Sequence, residues 1–266
     1  LIARSDWDEA KHKGLSYFII DMHQPGVEVR QLRQMNGHAS FNEVFFTDAR
    51  VPRENIISTP GNGWNVAMTT LAYERRSFDR SRDNKRSKQK GRIFVELKKE
   101  LDISNEPYTW YPQRAGRVDL IMQRAEETGA INDPVQRQDI ARLHILSESA
   151  KWTAQRAKAA QKAGKPQGPE GSLGKLAASE VGRLAARVHT TMSVNDALLT
   201  GPDSVRDGVI AEILVSVPAG SIAGGTDEIQ RNIVAERVLG LPKETRFDEG
   251  PFRNVQRNSA AKDSGK

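Results

Sequence analysis

One carboxylate in this sequence stands where it could act as a base. In the segment GNGWNVAMTTLAYERRSF, helical spacing puts four residues on one face of a predicted helix, namely Ala67, Leu71, Glu74 and Phe78. No cation lies three or four positions from Glu74, so an intrahelical ion pair does not explain it. A carboxylate on an apolar face loses hydration and has a raised pKa, as a general base near neutral pH requires. The residues alone leave two other roles open for Glu74, a water-exposed position and an ion pair with an arginine of another helix.

A second candidate is the small loop in SIAGGTDEIQRNIVAERVLGLP, residues 221–242. Thr226 is a predicted helix N-cap, with acidic residues in the first turn after it. Because glycine lacks a Cβ, Gly224 and Gly225 allow a ligand to approach the backbone, and the free amides at the helix start can face a phosphate or ribose oxygen. A tight turn between two helices is the alternative that the residues leave open.

The first part of the chain is predicted to form strands. Residues 14–57 contain LSYFIID, VEVRQL and NEVFFTDARVP, which are rich in β-branched and aromatic residues and are separated by turn residues. The chain has no initiator Met and begins within a further predicted strand, so we interpret it as a fragment or an incomplete gene product.

The rest of the chain is predicted to form helices. Asp133-Pro134 marks a helix start, residues 162–172 form a loop, and Gly174 and Gly182 indicate close contacts between helices. The polar residues 246–266 predict a disordered tail. The sequence therefore predicts an α+β protein, with a partial β domain at 1–58 followed by a helical bundle at 62–245.

The composition excludes several kinds of site. The chain has no cysteine, which excludes disulfides, thiolate metal ligands and cysteine nucleophiles and fits a reducing, cytoplasmic compartment. The five histidines lack metal-ligand spacing, so no metal site is predicted. No apolar run approaches the roughly 18 residues of a membrane span, and none is predicted.

The positive charge is concentrated in one segment. The net charge is +6, and RSRDNKRSKQK at residues 80–90 holds six basic residues and one acidic residue. No aromatic residue lies between these charges, as stacking on bases would require, so a solvated run is favoured. A basic nucleic-acid-binding protein remains the alternative from a different functional class, and its signature would be a salt-dependent affinity for DNA.

Three separated stretches resemble the acyl-CoA dehydrogenases, flavoenzymes that desaturate acyl-CoA thioesters between the α and β carbons. AGGTDEIQRNIVAERVLGLP is similar to the C-terminal signature of the family, and GNGWNVAMTTLAYER to the first helix of its C-terminal domain. KHKGLSYFIIDM, GVEVRQL and FNEVFFTDARVPRENII resemble the end of its middle domain. The resemblance covers residues 1–79 and about 117–245, and it leaves out a divergent basic insertion at 80–116. It implies the end of a β-barrel-like middle domain followed by an all-α helical bundle of acyl-CoA dehydrogenase type.

The resemblance also implies roles for individual residues. In many members the base is a Glu directly before the Gly-Thr of the loop, where this chain has Gly224. In the isovaleryl and long-chain types the base lies on the helix, and the matching residue is Glu74. Arg75 matches an arginine that lines the acyl pocket, and the Gly224 amide would bind the thioester carbonyl. Three loop residues match positions that touch the flavin nucleotide: Thr226, Asp227 and Glu228.

As a whole, the resemblance implies FAD as cofactor, an acyl-CoA substrate, an electron-transfer flavoprotein as electron acceptor, and a homo- or hetero-oligomer. The family's N-terminal helical domain and the strands that hold the isoalloxazine ring would lie upstream of Leu1, and its Arg-x-x-Phe-Gly segment has no counterpart in residues 80–116. A non-catalytic partner subunit of a heteromeric acyl-CoA dehydrogenase is therefore the alternative function.

Overall fold

The computed structural model describes residues 1–39, 41–82, 91–96, 113–165, 168–243 and 248–255, without the side chains of 74–82. The chain divides into two compact units. The strand unit comprises Leu1–Leu32, Ala39–Glu100 and Glu244–Lys266, and the bundle unit comprises Arg33–His38 and Leu101–Lys243.

The strand unit contains two small antiparallel sheets and one long helix. The strands are β1 (Ile2–Arg4), β2 (Leu15–Phe18), β3 (Val27–Leu32), β4 (Phe41–Phe46) and β5 (Ile56–Ile57), and the helix α1 is Gly63–Arg82. One sheet has the order β1-β2-β5, and the other is the β3-β4 pair, in register from Val27 opposite Phe46 to Leu32 opposite Phe41. The predicted strands at 14–57 are thus present, with side chains alternating between the two faces of each strand.

Helix α1 clusters with these strands, whereas the sequence assigns it to the bundle from residue 62 onward. Its first residue explains the association. A Cβ built on Gly63 would lie 2.4 Å from the backbone carbon of Ser16 in β2, so only glycine allows the helix to begin this close to the strand. A further short helical segment lies at 92–96.

The segment 248–255, which the sequence places in a disordered tail, contacts the N-terminal residues of the strand unit. The ring centroids of Phe252 and Trp7 lie 5.4 Å apart, and Arg253 Nε lies 2.6 Å from Asp8 Oδ1. The Arg253 amide also donates to the Trp7 carbonyl at 3.0 Å. Aromatic contact and backbone pairing with residues far away in the sequence order a stretch whose polar composition predicts none.

The bundle unit is built from five helices in its described part. They are α2 (Ile121–Glu127), α3 (Pro134–Lys162), α4 (Glu170–Ser193), α5 (Val209–Ser216) and α6 (Asp227–Arg237). The predicted start of α3 is confirmed, since the Asp133 side chain accepts hydrogen bonds from Val135 N at 2.8 Å and Gln136 N at 3.0 Å. None of the described helices combines the length and the apolar character needed to cross a bilayer.

Helix α4 is the centre of the bundle unit and takes part in two buried clusters. One cluster contains Ile121, Ala125, Ala130, Ile140, Leu143, Ala185, Val188 and Met192, and the other contains Ala186, Ala197, Ile210, Ile213 and Val217. A Cβ built on Gly182 would lie 3.4 Å from the carbonyl oxygen of Arg114, an ordinary van der Waals distance to a turn residue, so the close contact between helices predicted there is not confirmed. The same prediction is wrong for Gly174, where an added Cβ would meet no described atom within 4 Å.

Candidate functional site

The two residues predicted on the first helix, Glu74 and Arg75, lie within α1, where the backbone is helical. Their side chains, like those of the basic run that begins at residue 80, lie outside the described part of the chain. The neighbouring apolar positions are described: Ala67 is half-buried and Leu71 is 39% exposed. The face on which the sequence places Glu74 is therefore partly open to water at these two positions.

An open groove of about 460 Å³ runs along another face of α1, lined by Asn62, Asn65, Val66, Thr69, Thr70 and Tyr73. Several of its polar groups bond back to the helix. Thr69 Oγ1 donates to the Asn65 carbonyl at 2.9 Å, and Thr70 Oγ1 donates to the Val66 carbonyl at 3.0 Å. The two threonine hydroxyls therefore keep acceptor capacity but have used their protons within the helix.

The diglycine loop of the bundle unit has a defined backbone. Gly224 and Gly225 have φ values of +69° and +92°, a region that side-chain-bearing residues rarely adopt. A Cβ on Gly224 would meet nothing within 4 Å, whereas a Cβ on Gly225 would lie 2.6 Å from Gln230 Nε2. Space is thus left open at the first glycine, while a side chain at the second glycine would displace the Gln230 amide.

Gln230, which is 8% exposed, holds this loop from within α6. Its Nε2 donates to the carbonyl of Gly224 at 3.1 Å and to that of Gly225 at 3.4 Å. The amides of the two glycines find no acceptor among the residues that the structure describes. The loop therefore turns its carbonyls toward the helix, while the amides of its two exposed glycines stay open to solvent.

The start of α6 is capped as the sequence predicts. Thr226 Oγ1 accepts from Ile229 N at 3.3 Å. Hydrogen bonds from its own backbone amide and from the Thr226 hydroxyl lower the pKa of Glu228, whose side chain is 77% exposed. Thr226 and Glu228 are thus both placed at the helix N-terminus, and the Glu228 carboxylate faces solvent.

Asp227, in contrast, is buried against α4. Lys175 Nζ lies 2.7 Å from its Oδ1, Ser179 Oγ lies 2.8 Å from the same oxygen, and Arg183 Nη1 lies 2.7 Å from Oδ2. These hydrogen bonds, with that of Lys175 the strongest cause, hold the pKa of Asp227 far below its usual range. Both carboxylate oxygens have protein partners, which leaves only the backbone of Asp227 for the contact with a flavin nucleotide that the sequence predicts.

Sequence reasoning missed Lys175, Ser179 and Arg183, because it used only the apolar positions of this helix. The signal was present, since two cations and a hydroxyl at intervals of four residues form one polar stripe on a helix. A polar stripe on a helix that also has an apolar face indicates a buried acidic partner or a solvated surface, and the sequence does not distinguish the two.

A second polar cluster joins residues 33–38 and 113–114 of the bundle unit to α5. His38 Nε2 lies 3.2 Å from Glu212 Oε1, and Gln113 Nε2 donates to the other oxygen of Glu212 at 3.3 Å. Arg114 Nη2 donates to Gln34 Oε1 at 3.0 Å. Among the described residues no group of acidic side chains or histidines is arranged to hold a metal ion.

A third cluster is buried near the end of α4. Arg124 and His189 are 1% and 0% exposed. Arg124 donates to the Ser193 hydroxyl, and His189 Nε2 lies 3.1 Å from the Arg117 carbonyl oxygen. Burial lowers the pKa of both side chains, so His189 is neutral in the folded protein near neutral pH.

Comparison with known proteins adds the following. Residues 115–239 match the family model described as acyl-CoA dehydrogenase, C-terminal domain. The chain is 32% identical over 256 residues to acyl-CoA dehydrogenase IpdE1 of Mycobacterium tuberculosis. This alignment covers 92% of this chain and 56% of that protein. It is 26% identical over 236 residues to the mitochondrial short-chain specific acyl-CoA dehydrogenase of Mus musculus, covering 86% and 49%. The chain spans about half the length of these two relatives.

Solved structures show the fold. The Tcur3481-Tcur3483 steroid ACAD superposes with a TM-score of 0.67 at 20% identity, and the match covers 92% of this chain and 56% of that chain. The ChsE4-ChsE5 complex from Mycobacterium tuberculosis superposes with a TM-score of 0.63 at 19% identity, covering 88% and 55%. Together with the family match, these likenesses confirm the predicted α+β fold of acyl-CoA dehydrogenase type.

Proposed function

Because this chain belongs to the acyl-CoA dehydrogenase family, we propose that it carries residues for the FAD-dependent α,β-desaturation of an acyl-CoA thioester. The observation that carries the proposal is the diglycine loop, whose carbonyls are held by Gln230 and whose amides are left for a ligand. The loop lies within the segment that matches the family's C-terminal domain.

The loop suits the carbonyl oxygen of a thioester. When the α proton leaves, negative charge develops on that oxygen, and a backbone N–H held in place stabilises the charge. Gly224 offers such a donor with open space beside it. The positive end of the α6 dipole adds to the same effect, because α6 is an 11-residue helix that begins three residues after Gly224.

The residues at the start of α6 fit a flavin nucleotide in part. The exposed Glu228 carboxylate can accept from a ribose hydroxyl, the Thr226 hydroxyl can reorient toward a ligand, and the backbone amides can donate to phosphate. The Asp227 side chain does not fit this role, since both of its oxygens are engaged with α4. When bound, FAD supplies the hydride acceptor, and we propose that an electron-transfer flavoprotein then receives the electrons.

Glu74 is the proposed base, and Arg75 the proposed residue of the acyl pocket. The Glu74 carboxylate takes the α proton of the thioester, and its return to the ionised form completes the cycle.

Glu74→Gln tests this assignment. In a flavin-loaded assembly that includes the full chain, the substitution should keep acyl-CoA binding and lower the rate by about 10²–10⁴-fold. Glu148→Gln is a matched control, since Glu148 pairs with Lys151 on the surface of α3. Exchange of the substrate α hydrogen with deuterated water measures the step directly. Exchange at the parent rate in Glu74→Gln contradicts the assignment.

The alternative is that the chain is a non-catalytic subunit of a heteromeric enzyme. The names of two structural neighbours, Tcur3481-Tcur3483 and ChsE4-ChsE5, each join two protein names. Purification alone and with a candidate partner separates the two functions. A yellow homo-oligomer that oxidises acyl-CoA supports a catalytic chain, whereas flavin retained only in the mixed assembly supports the partner role.

A cytoplasmic location stays a prediction from the absence of cysteine.

A further inference from the structure

Three polar residues of α4 hold the start of α6. Lys175, Ser179 and Arg183 follow one another at four-residue intervals and all contact the Asp227 carboxylate, at 2.7, 2.8 and 2.7 Å. That carboxylate is 4% exposed, whereas the side chains of Lys175 and Arg183 are 17% and 40% exposed, so a buried acceptor is bonded by donors that reach toward the surface. Charge-assisted hydrogen bonds of this length are the strong ones in proteins.

Two of these residues also hold the other end of the diglycine loop. Arg183 Nη1 donates to Ser221 Oγ at 2.6 Å, and Ser179 Oγ lies 2.9 Å from the Gly220 carbonyl oxygen. The Ser179 hydroxyl has one proton, which it donates either to Gly220 or to Asp227. The residues before and after the loop therefore depend on the same two side chains.

The loop needs such restraint because of its composition. Adjacent glycines have the largest backbone freedom of any residue pair, and ordering them costs more conformational entropy than ordering other residues. Gln230 restrains the two carbonyls from one side. Fixing both ends of the loop removes most of the remaining freedom, and the direction of the Gly224 amide is then defined.

We propose that Ser179 and Arg183, together with Lys175, are positioning residues that fix the Gly224 amide for its ligand. They act through Asp227 and residues 220–221 and do not touch the substrate themselves. The proposal rests on the proposed function for the identity of that ligand, a thioester carbonyl. The restraint of the loop can be measured without any ligand.

The variants are Ser179→Ala, Arg183→Gln and Arg183→Lys, and the control is Arg187→Gln. Arg187 lies one turn further along α4, and its Nη2 bonds Asp139 Oδ2 at 3.0 Å away from the loop. Arg183 Nη1 contacts both Asp227 and Ser221, and its Nη2 contacts Glu180. Arg183→Lys keeps the charge but loses the planar guanidinium fork, so it should restore part of the effect.

The first measurement is amide hydrogen exchange of a peptide covering 221–229 in the full chain. Exchange should be about tenfold faster in Arg183→Gln, since a charge-assisted hydrogen bond is lost, with a smaller increase in Ser179→Ala and Arg183→Lys. The thermal midpoint should fall more in Arg183→Gln than in Arg187→Gln, because the buried Asp227 carboxylate loses one of its two cations. In Arg183→Lys, which keeps the charge, it should change no more than in Arg187→Gln. Amide exchange at the parent rate in both Ser179→Ala and Arg183→Lys overturns the proposal. These two variants also keep the proposal testable if Arg183→Gln does not fold.

The second measurement is acyl-CoA turnover in the flavin-loaded assembly. A lowered kcat in Ser179→Ala and Arg183→Lys, with KM near the parent value, supports an effect on the reacting carbonyl. The variants could instead show faster amide exchange in the loop but acyl-CoA turnover at the parent rate. That result would overturn the assignment of the thioester carbonyl as the ligand of Gly224, and with it this part of the proposed function. In that case the exchange result still supports restraint of the loop by α4.

Discussion

In the bundle unit, Ile213 and Ala185 are 0% exposed, whereas in the strand unit Phe41 and Phe46 are 51% and 43% exposed. The bundle unit closes apolar clusters on two sides of α4. The described side chains of β4 are all exposed, and so are Trp64 and Leu71 on α1. Burial therefore stabilises the bundle unit of this chain far more than the strand unit.

This difference separates the two candidate groups. Gly224 belongs to a unit with its own core and with a polar network that fixes the loop. Glu74 belongs to a helix whose described apolar residues are partly exposed. We expect the surroundings of Gly224 to be the same in the isolated chain and in an assembly. The surroundings of Glu74 should change more when another chain or domain covers the exposed side chains of the strand unit.

Truncating one aliphatic side chain in each unit tests whether burial stabilises the bundle unit more than the strand unit. This experiment has the largest expected effect. Ile213→Ala should lower the free energy of unfolding by about 3–4 kcal/mol, because the removed side chain leaves a cavity in a closed cluster. Leu32→Ala in β3, where Leu32 is 41% exposed, should change it by less than about 1 kcal/mol. Urea denaturation of the full chain followed by hydrogen exchange of each unit measures both. Similar losses at the two positions would show that the strand unit has a core of its own.

Asp227→Ala should have the next largest effect, about 3 kcal/mol, since it leaves Lys175 and Arg183 without their buried counter-charge. Asp139→Ala is the control, because Asp139 pairs with arginines that are 62% and 68% exposed, and its removal should cost about 1 kcal/mol or less. Calorimetric melting of both variants gives the comparison. Equal shifts would mean that the α4 network adds no more than a surface ion pair.

The two glycines of the loop should differ by a smaller amount. Gly224→Ala meets only the strain of a positive φ, about 1 kcal/mol, whereas Gly225→Ala also displaces Gln230 and should cost about 2 kcal/mol. Thermal unfolding of the two variants, with Gln230→Met as a reference for the lost hydrogen bonds, measures the difference. If both alanines cost the same, Gln230 does not restrain the loop.

The pH dependence should give the smallest change near neutral pH. Burial lowers the pKa of His189, so the folded state favours the neutral imidazole. The contribution of His189 to the free energy of unfolding is therefore complete above its unfolded pKa of about 6.5 and is lost as the pH falls below that value. The pKa of Asp227 is also lowered, and its contribution is lost only below about pH 4. His189→Gln should flatten the stability profile between about pH 5 and 7, while His144→Gln, at an exposed position of α3, should not. A parent-like slope in His189→Gln contradicts the assignment of this pH window to His189.

Local features of the fold were predictable because a few adjacent residues decide them. Asp133-Pro134 caps α3 and Thr226 caps α6, since a side-chain oxygen bonds an amide two or three residues ahead. The strands follow from short runs of β-branched and aromatic residues. The need for glycine at Gly225 also follows from a local contact, with a residue five positions later.

The family resemblance predicts a ligand-binding loop and a base at Glu74, but the predicted roles of the loop residues separate in three dimensions. Thr226 and Glu228 are at the open end of α6, whereas Asp227 is turned into the bundle. Three adjacent residues on a helix start point in different directions, about 100° apart, and which of them faces the core depends on where the helix packs.

The sequence by itself thus determined the types of element and the caps of two helices. Tertiary structure alone decided which side chains hold the loop. The partners of Asp227 lie 44 to 52 residues away in the chain, and the contact between Arg253 and Asp8 joins residues that are 245 positions apart. Caps and periodicities arise from atoms that the chain already brings together, whereas these contacts exist only after packing has brought distant segments within hydrogen-bond distance.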